Sequence, residues 1–315
     1  MPGSASTRAA GPRPEAAAPT RGGRRPAVLP RGERQIWTRW QTRAVAAGLA
    51  LAALLPTGGP VHAQGSRVTI GAVRVMSPGR PLLPEVPGGF TFCRLMYARI
   101  RAEQRGQGWR TDYPDAEYNL TTRLSQLTPT RVSGWLDGRP GFAVLRATDP
   151  ELFRCPFLFS SDVGTVGLSE DEIEGLREYL LKGGFLWADD FWGRRAWTHW
   201  TELLAEILPG LEIEELPPDH PLLSIVYQVE RIPQIPSIQY WRQSGGATSE
   251  LGAMSATPRL RVIRDETGRI LVLMSHNTDI ADGWEREGED YGFFSRFSPD
   301  AYALGINILV WMMTH

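Results

Sequence analysis

Lysine is almost missing from this sequence: Lys182 is the only one among 34 basic residues in a chain of 315. Arginine carries the rest of the positive charge, which reads as a compositional bias of the coding genome and not as phosphate recognition. Cysteine is nearly as scarce. Cys93 and Cys155 are the only two, and neither lies in a C-x-x-C motif, so zinc-ribbon and thiol-redox chemistry lack their signatures. Both flank apolar strands ("FTFCRL" and "CPFLFS"), where buried free thiols are common and are the favoured state; pairing as a disulfide in an oxidising compartment is the alternative. No G-x-S-x-G, Walker or G-x-G-x-x-G pattern occurs, which leaves nucleophile-elbow serine hydrolases, P-loop enzymes and Rossmann dehydrogenases without support.

A long apolar run is absent too. The stretch Ala44 to Leu55 is about twelve residues, short of the roughly 20 that span a bilayer. Before it, residues 1–43 hold nine Arg, two Glu and no Asp or Lys, a composition that cannot bury a core. After it come Pro56 to Pro60 and then Val61-His62-Ala63. Basic region, short apolar core and small-residue site are the parts of a secretory signal. The expectation is a leader over 1–63, cleavage after Ala63, and export to the periplasm or beyond. A twin-Arg signal through Arg24-Arg25 and a membrane anchor formed by an uncleaved 44–55 segment are the alternatives; otherwise no membrane contact is expected.

The formal charge of −1 hides an asymmetry. Without the leader's nine Arg and two Glu, residues 64–315 carry 25 basic and 33 acidic side chains, a net of −8. That argues against nucleic acid as a partner. Those 252 residues suffice for one large domain.

The clearest pattern in that domain is "LSEDEIEGLREYLLKGGFLWADD". Ser169 and Glu172 make a capping box, Glu170 to Glu172 suit a helix start, and Gly183 closes the helix. Apolar strand candidates at 156–160 and 185–188 bracket it, so the order is βαβ and the sheet parallel. Further strands are read at 67–75, in "FTFCRLMY", and at 142–144. "RLRVIRDETGRILVLMSH" reads as a hairpin. "DAEYNLTTRLSQLT" is an amphipathic helix with Asp115 as its cap. Another helix follows "ADDFWG", and a last one starts at Ser298-Pro299. The fold class is therefore α/β: three layers, a mostly parallel sheet, helices on both faces.

The segments "GWRTDYPDAEYNLTTRLSQLT", "RATDPELFRCPFLF", "LSEDEIEGLREYLLKGGFLWADDFWG", "PPDHPLL" and "LMSHNTDIADGWE" together resemble the DUF4159 family, a domain of unknown function. The resemblance runs from about Phe90 to the C-terminus. It implies a class I glutamine amidotransferase-like, flavodoxin-like fold. Where true amidotransferases of that fold carry a nucleophilic Cys, after the strand equivalent to 185–188, this chain has Asp189-Asp190. The thiolate route is therefore not implied.

Ligands of open parallel sheets bind beyond the carboxyl ends of the strands. Seven residues fall at such ends or in the loops after them: Asp189, Asp190, His220, His276, Asn277, Asp279 and Trp284. If they converge, two imidazoles and three carboxylates can serve as acid and base or ligate a divalent metal. Each has a plainer reading. The Asp pair can be a solvated strand end, dispensable for folding; His220 before Pro221 suits a turn; Asn277 and Asp279 suit Asx turns. Trp109, Asp112, Tyr113, Asp115 and Asn119 look like a carbohydrate-type surface, but a loop leading into a helix explains them as well. The spacings match no recognised metal motif, so no metal or cofactor is expected. The favoured function is a non-catalytic module binding a small ligand or an envelope protein. The alternative is a hydrolase of envelope glycans or amides, using Asp189 or Asp190 with His276 or His220, metal-assisted or not.

Overall fold

A computed structural model describes residues 81–315. The leader, the 44–55 run and the strand read at 67–75 lie outside the described residues. Seven strands form one sheet in the order β3-β1-β4-β6-β9-β8-β7. They are β1 (Phe92–Leu95), β3 (Phe142–Leu145), β4 (Phe157–Ser160), β6 (Phe185–Phe191), β7 (Ile213–Glu215), β8 (Arg259–Arg264) and β9 (Ile270–His276). The five strands from β3 to β9 run parallel, and β8 and β7 close one edge antiparallel. A minor pair, β2 (Ala98–Arg99) with β5 (Val166–Gly167), stands apart.

The βαβ reading is borne out. Phe157 pairs with Phe185 in parallel register, and α2 (Glu170–Leu181) lies between them in sequence with both halves of its capping box formed. The helices divide into two layers. Buried side chains of α1 (Asp115–Leu127) and α6 (Tyr291–Thr314) join Phe157, Phe159, Phe185 and Trp187 of the strands in one core. Those of α2 and α3 (Gly193–Ile207) join Leu158, Leu186, Ala188 and Val272 in the other. The alternation of Phe185, Leu186, Trp187 and Ala188 between two cores is the period-2 side-chain rule of a strand buried on both faces. No helix of the described residues is long and apolar enough to cross a membrane.

Four expectations need correction. Cys93 and Cys155 are not free: they form a disulfide, with Cα atoms 6.2 Å apart. Strand pairing brings this about, since Cys93 lies opposite Leu158 of β4 and Cys155 sits just ahead of that strand. The last helix starts at Tyr291, not at Ser298. Asp290 caps it by accepting the Gly292 and Phe293 N–H groups, and Pro299 lies inside. Asp115 is the first residue of α1 and makes no side-chain cap. Finally, β6 does not stop at Ala188 but carries the Asp pair within it.

Candidate functional site

The end of β6 fixes the geometry. Its register against β9 shifts between Ala188 and Phe191, and Asp190 adopts a left-handed φ of 51°. Such a bulge puts one extra residue into the strand and re-aims its side chain. Asp189 keeps the side of Trp187 and turns into the core, whereas Asp190 lines a crevice at the carboxyl edge of the parallel strands.

Asp189 is not solvated; it is fully buried. One carboxylate oxygen accepts the Ser275 hydroxyl, and the other accepts the Ala281 N–H at 2.9 Å. The Ser275 oxygen in turn accepts the Trp187 indole N–H at 2.8 Å. This carboxylate ties β6 to β9 and to the start of α5 (Asp282–Glu285). Burial pushes its carboxyl up to about 7 against those two hydrogen bonds. We expect Asp189→Ala to lower stability by about 2 kcal/mol, because a hydroxyl and a buried N–H lose their partner. Thermal melts check this, and an unmoved midpoint would return Asp189 to the role of a wet strand end.

The crevice beside it has a volume of about 190 Å3 and is walled by Asp112, Asp190, Glu250, Asp279, Asp282 and Glu285. Six carboxylates meet only two guanidinium groups there, Arg105 and Arg286, and Thr111, Ser237 and Gln239 supply neutral polar surface. The volume falls below the range of about 300–1,000 Å3 that suits drug-sized ligands, so an occupant is small.

Specific hydrogen bonds set three of these acids. Asp279 accepts the Asp282 N–H at 2.9 Å, and Asp282 accepts the Ile238 N–H of α4 (Ile238–Gln243) at 2.9 Å. Asp112, at φ 66°, accepts the Ser161 hydroxyl at 2.8 Å. Beneath its loop, the buried Arg94 pairs with Glu117 and donates to the Trp109 and Thr111 carbonyls at 3.1 and 2.8 Å. Asp112 and Asp279 are each more than nine-tenths buried. Each uses one carboxylate oxygen in these bonds and leaves the other without a hydrogen-bond partner among the described residues.

Crowding raises the carboxyls. Burial first, then Asp112 and other neighbouring carboxylates, push Asp190 and Asp279 well above the ordinary range. Burial and Asp112 lift Asp282 to about 7, and the same two causes with Asp282 added lift Glu285 to about 9. Like charges this close cannot all ionise unless protons or cations join them. Oxygens of Asp112, Asp282 and Glu285 all lie within 4.8 Å of one another and are the residues placed to hold a metal ion. An all-oxygen donor set suits hard cations such as Ca2+, Mg2+ or Mn2+.

Backbone strain gathers at the same place. Among the described residues, five non-glycine positions have φ in the left-handed region: Arg105, Asp112, Asp162, Asp190 and Asn277. Three of them line the crevice, and Asp162 accepts the Gly108 N–H beside it at 2.7 Å. Such conformations cost up to about 1–3 kcal/mol each and concentrate where function needs them.

Of the seven residues read from the sequence, Asp190 and Asp279 line the crevice and Asp189 lies behind them. The others lie elsewhere. His276 is on the opposite face of the sheet, stacked on Phe191 at 4.9 Å and packed on Trp197. Its Nε2 lies 3.1 Å from the Gly193 carbonyl and its Nδ1 3.1 Å from Arg261. Burial lowers its pKa to about 4, so the ring is neutral, with Nε2–H donating and Nδ1 accepting. Asn277 accepts the Gly193 N–H at 2.8 Å, capping the start of α3. Trp284 is core, edge-on to Trp187. His220 caps the turn Pro221–Ser224 and packs on Trp311. It also meets Arg264, which pairs with Ile270 at the start of β9, so it lies at the amino edge of the sheet. Among the described residues, no hydrogen bond joins Asp189 or Asp190 to His220 or His276.

Sequence reasoning missed Asp282, Glu285, Arg286, Arg105 and Glu250, and it gave Asp112 to a loop. One signal was present. Asp279, Asp282 and Glu285 recur every third residue in "DIADGWE", a spacing that puts side chains on one face of a helical turn.

Comparison with family models matches residues 91–313 to DUF4159, described as a domain of unknown function. The chain belongs to that family. No relative is found among curated proteins.

Proposed function

We propose that this DUF4159 member is an exported binding module whose acidic crevice takes a single hard divalent cation. The observation that carries the reading is the convergence of Asp112, Asp282 and Glu285 within 4.8 Å, with Asp190 and Asp279 lining the same crevice. Ionised together, these groups repel one another in a poorly hydrated site. A dication removes that repulsion and supplies a partner for the second carboxylate oxygen of Asp112.

Two further features support parts of this reading. Export agrees with the basic, apolar and small-residue order of the leader and with a buried disulfide, which persists in oxidising compartments. Binding in place of thiol catalysis agrees with the carboxyl end of β6. In the amidotransferase-like architecture that position holds a nucleophilic Cys, but here it holds Asp189-Asp190 and both cysteines are joined to each other. The described walls of the crevice include no histidine, so the Asp–His pairing of the hydrolase alternative has no support there.

Thermal melts with Mn2+, Ca2+ or Mg2+ test the reading. At 100 times its dissociation constant a ligand that binds only the folded chain adds about 2.7 kcal/mol. We expect a raised midpoint for the parent and none for Asp282→Asn. Equal shifts in both, or a shift in neither, would sink it.

A further inference from the structure

Arg286 pairs with two of the three acids that a dication would need. Its Nε lies 3.4 Å from Asp282 and its Nη2 2.9 Å from Glu285, while Nη1 reaches outward to Glu289 at 3.2 Å. The first two partners belong to the set whose oxygens converge. The third stands in a surface network, where Arg242 pairs with Glu289 at 2.8 Å and with Asp290 at 3.1 Å. Arg286 thus bridges the crevice and the rim. The second crevice guanidinium is different: Arg105 pairs with Glu250 at 3.6 Å and with no member of the converging set.

A guanidinium is always charged and is tethered here at high local concentration, so it competes with any cation that enters. A monovalent ion offers Asp282 and Glu285 no more charge than Arg286 already does. A dication offers twice as much, and Glu289 stands ready to receive the arginine it displaces. We infer that Arg286 is a built-in counter-cation and the specificity-determining residue of the crevice. It holds Asp282 and Glu285 until a divalent ion takes them, and so restricts the site to ions of double charge. This rests on the dication reading above.

The test is the Mn2+ dissociation constant of four full-length chains at fixed ionic strength near neutral pH: parent, Arg286→Gln, Arg286→Lys and Arg105→Gln. Removing the competitor should tighten Mn2+ binding at least about tenfold in Arg286→Gln. Lysine keeps the charge but loses the forked contact, so Arg286→Lys should fall between parent and Arg286→Gln, and it serves alone if the glutamine variant does not fold. Arg105→Gln, which removes a nearby charge without freeing the three acids, should change affinity by less than about threefold because solvent and salt screen it. If the parent binds and Arg286→Gln or Arg286→Lys binds no tighter than Arg105→Gln, the counter-cation is refuted while the dication site stands. If no chain binds Mn2+, the site itself is refuted and the inference falls with it.

Discussion

Replacing Cys93 and Cys155 together by alanine should lower the thermal midpoint by roughly 10 °C. The disulfide spans 62 residues of sequence. Closing a loop of that size removes denatured-state entropy worth about 4 kcal/mol in the chain-entropy model. For a domain of about 150–250 residues each kcal/mol moves the midpoint by about 2–4 °C. Both half-cystines are buried in the core between the sheet and the α2–α3 layer, so native-state reductant reaches them poorly and the substitution is the cleaner experiment. A midpoint within about 4 °C of the parent, half the smallest shift this estimate allows, would mean the two sulfurs are packed as free thiols, as their apolar surroundings alone suggest.

Without divalent ions, stability should fall as pH rises from about 5 to about 7, by at least roughly 3 kcal/mol, the effect over that window of one net proton held only by the folded state at about 1.4 kcal/mol per pH unit. The sign follows from the direction of the shifts. Folding raises Asp189 and Asp282 to about 7 and Glu285 to about 9, whereas an unfolded carboxyl titrates near 4. Their stabilising contribution is complete below that unfolded value and is lost as pH climbs through the folded ones. His276 acts the other way. Burial lowers it to about 4, so its contribution is present above its unfolded value of about 6.5 and is lost as pH falls through about 4. One imidazole opposes several carboxyls, and the net slope above about pH 5 is downward. Saturating Mn2+ should flatten that limb, because the cation replaces the protons. Melts across pH with and without Mn2+ read both effects. Stability that holds level or rises over this window without metal would show the carboxylates to be ionised and well hydrated, removing the electrostatic basis of the site.

Much of the scaffold was legible because its signals are local. Ser169 and Glu172 cap one helix, Gly183 ends it, and the apolar runs on either side have no role except as buried strands. The Asp pair pointed to the correct edge of the sheet for the same reason: a strand that ends in carboxylates must reach a polar place. What stayed hidden depends on pairing across distance. Nothing near Asp189 reveals that Ser275 and the Ala281 N–H satisfy it, so it read as solvated. Ser298-Pro299 imitates a helix start, but the cap is Asp290. The disulfide needs β1 to lie beside β4. The acids of the crevice come from a loop near residue 112, the bulge of β6, the loop at Glu250 and the turn after β9, and no linear spacing records that these segments meet. Histidines drew attention by their chemistry, yet His220 and His276 serve as a turn cap and a stacking ring.

The most direct measurement is a calorimetric titration of the parent chain with Mn2+ near neutral pH, repeated in buffers of different ionisation enthalpy to count protons. We expect a single Mn2+ bound per chain, protons released as the carboxyls of the cluster give way to the metal, and both signals lost in Asp112→Asn and Asp282→Asn. No binding, or binding without proton release that survives both substitutions, would contradict it.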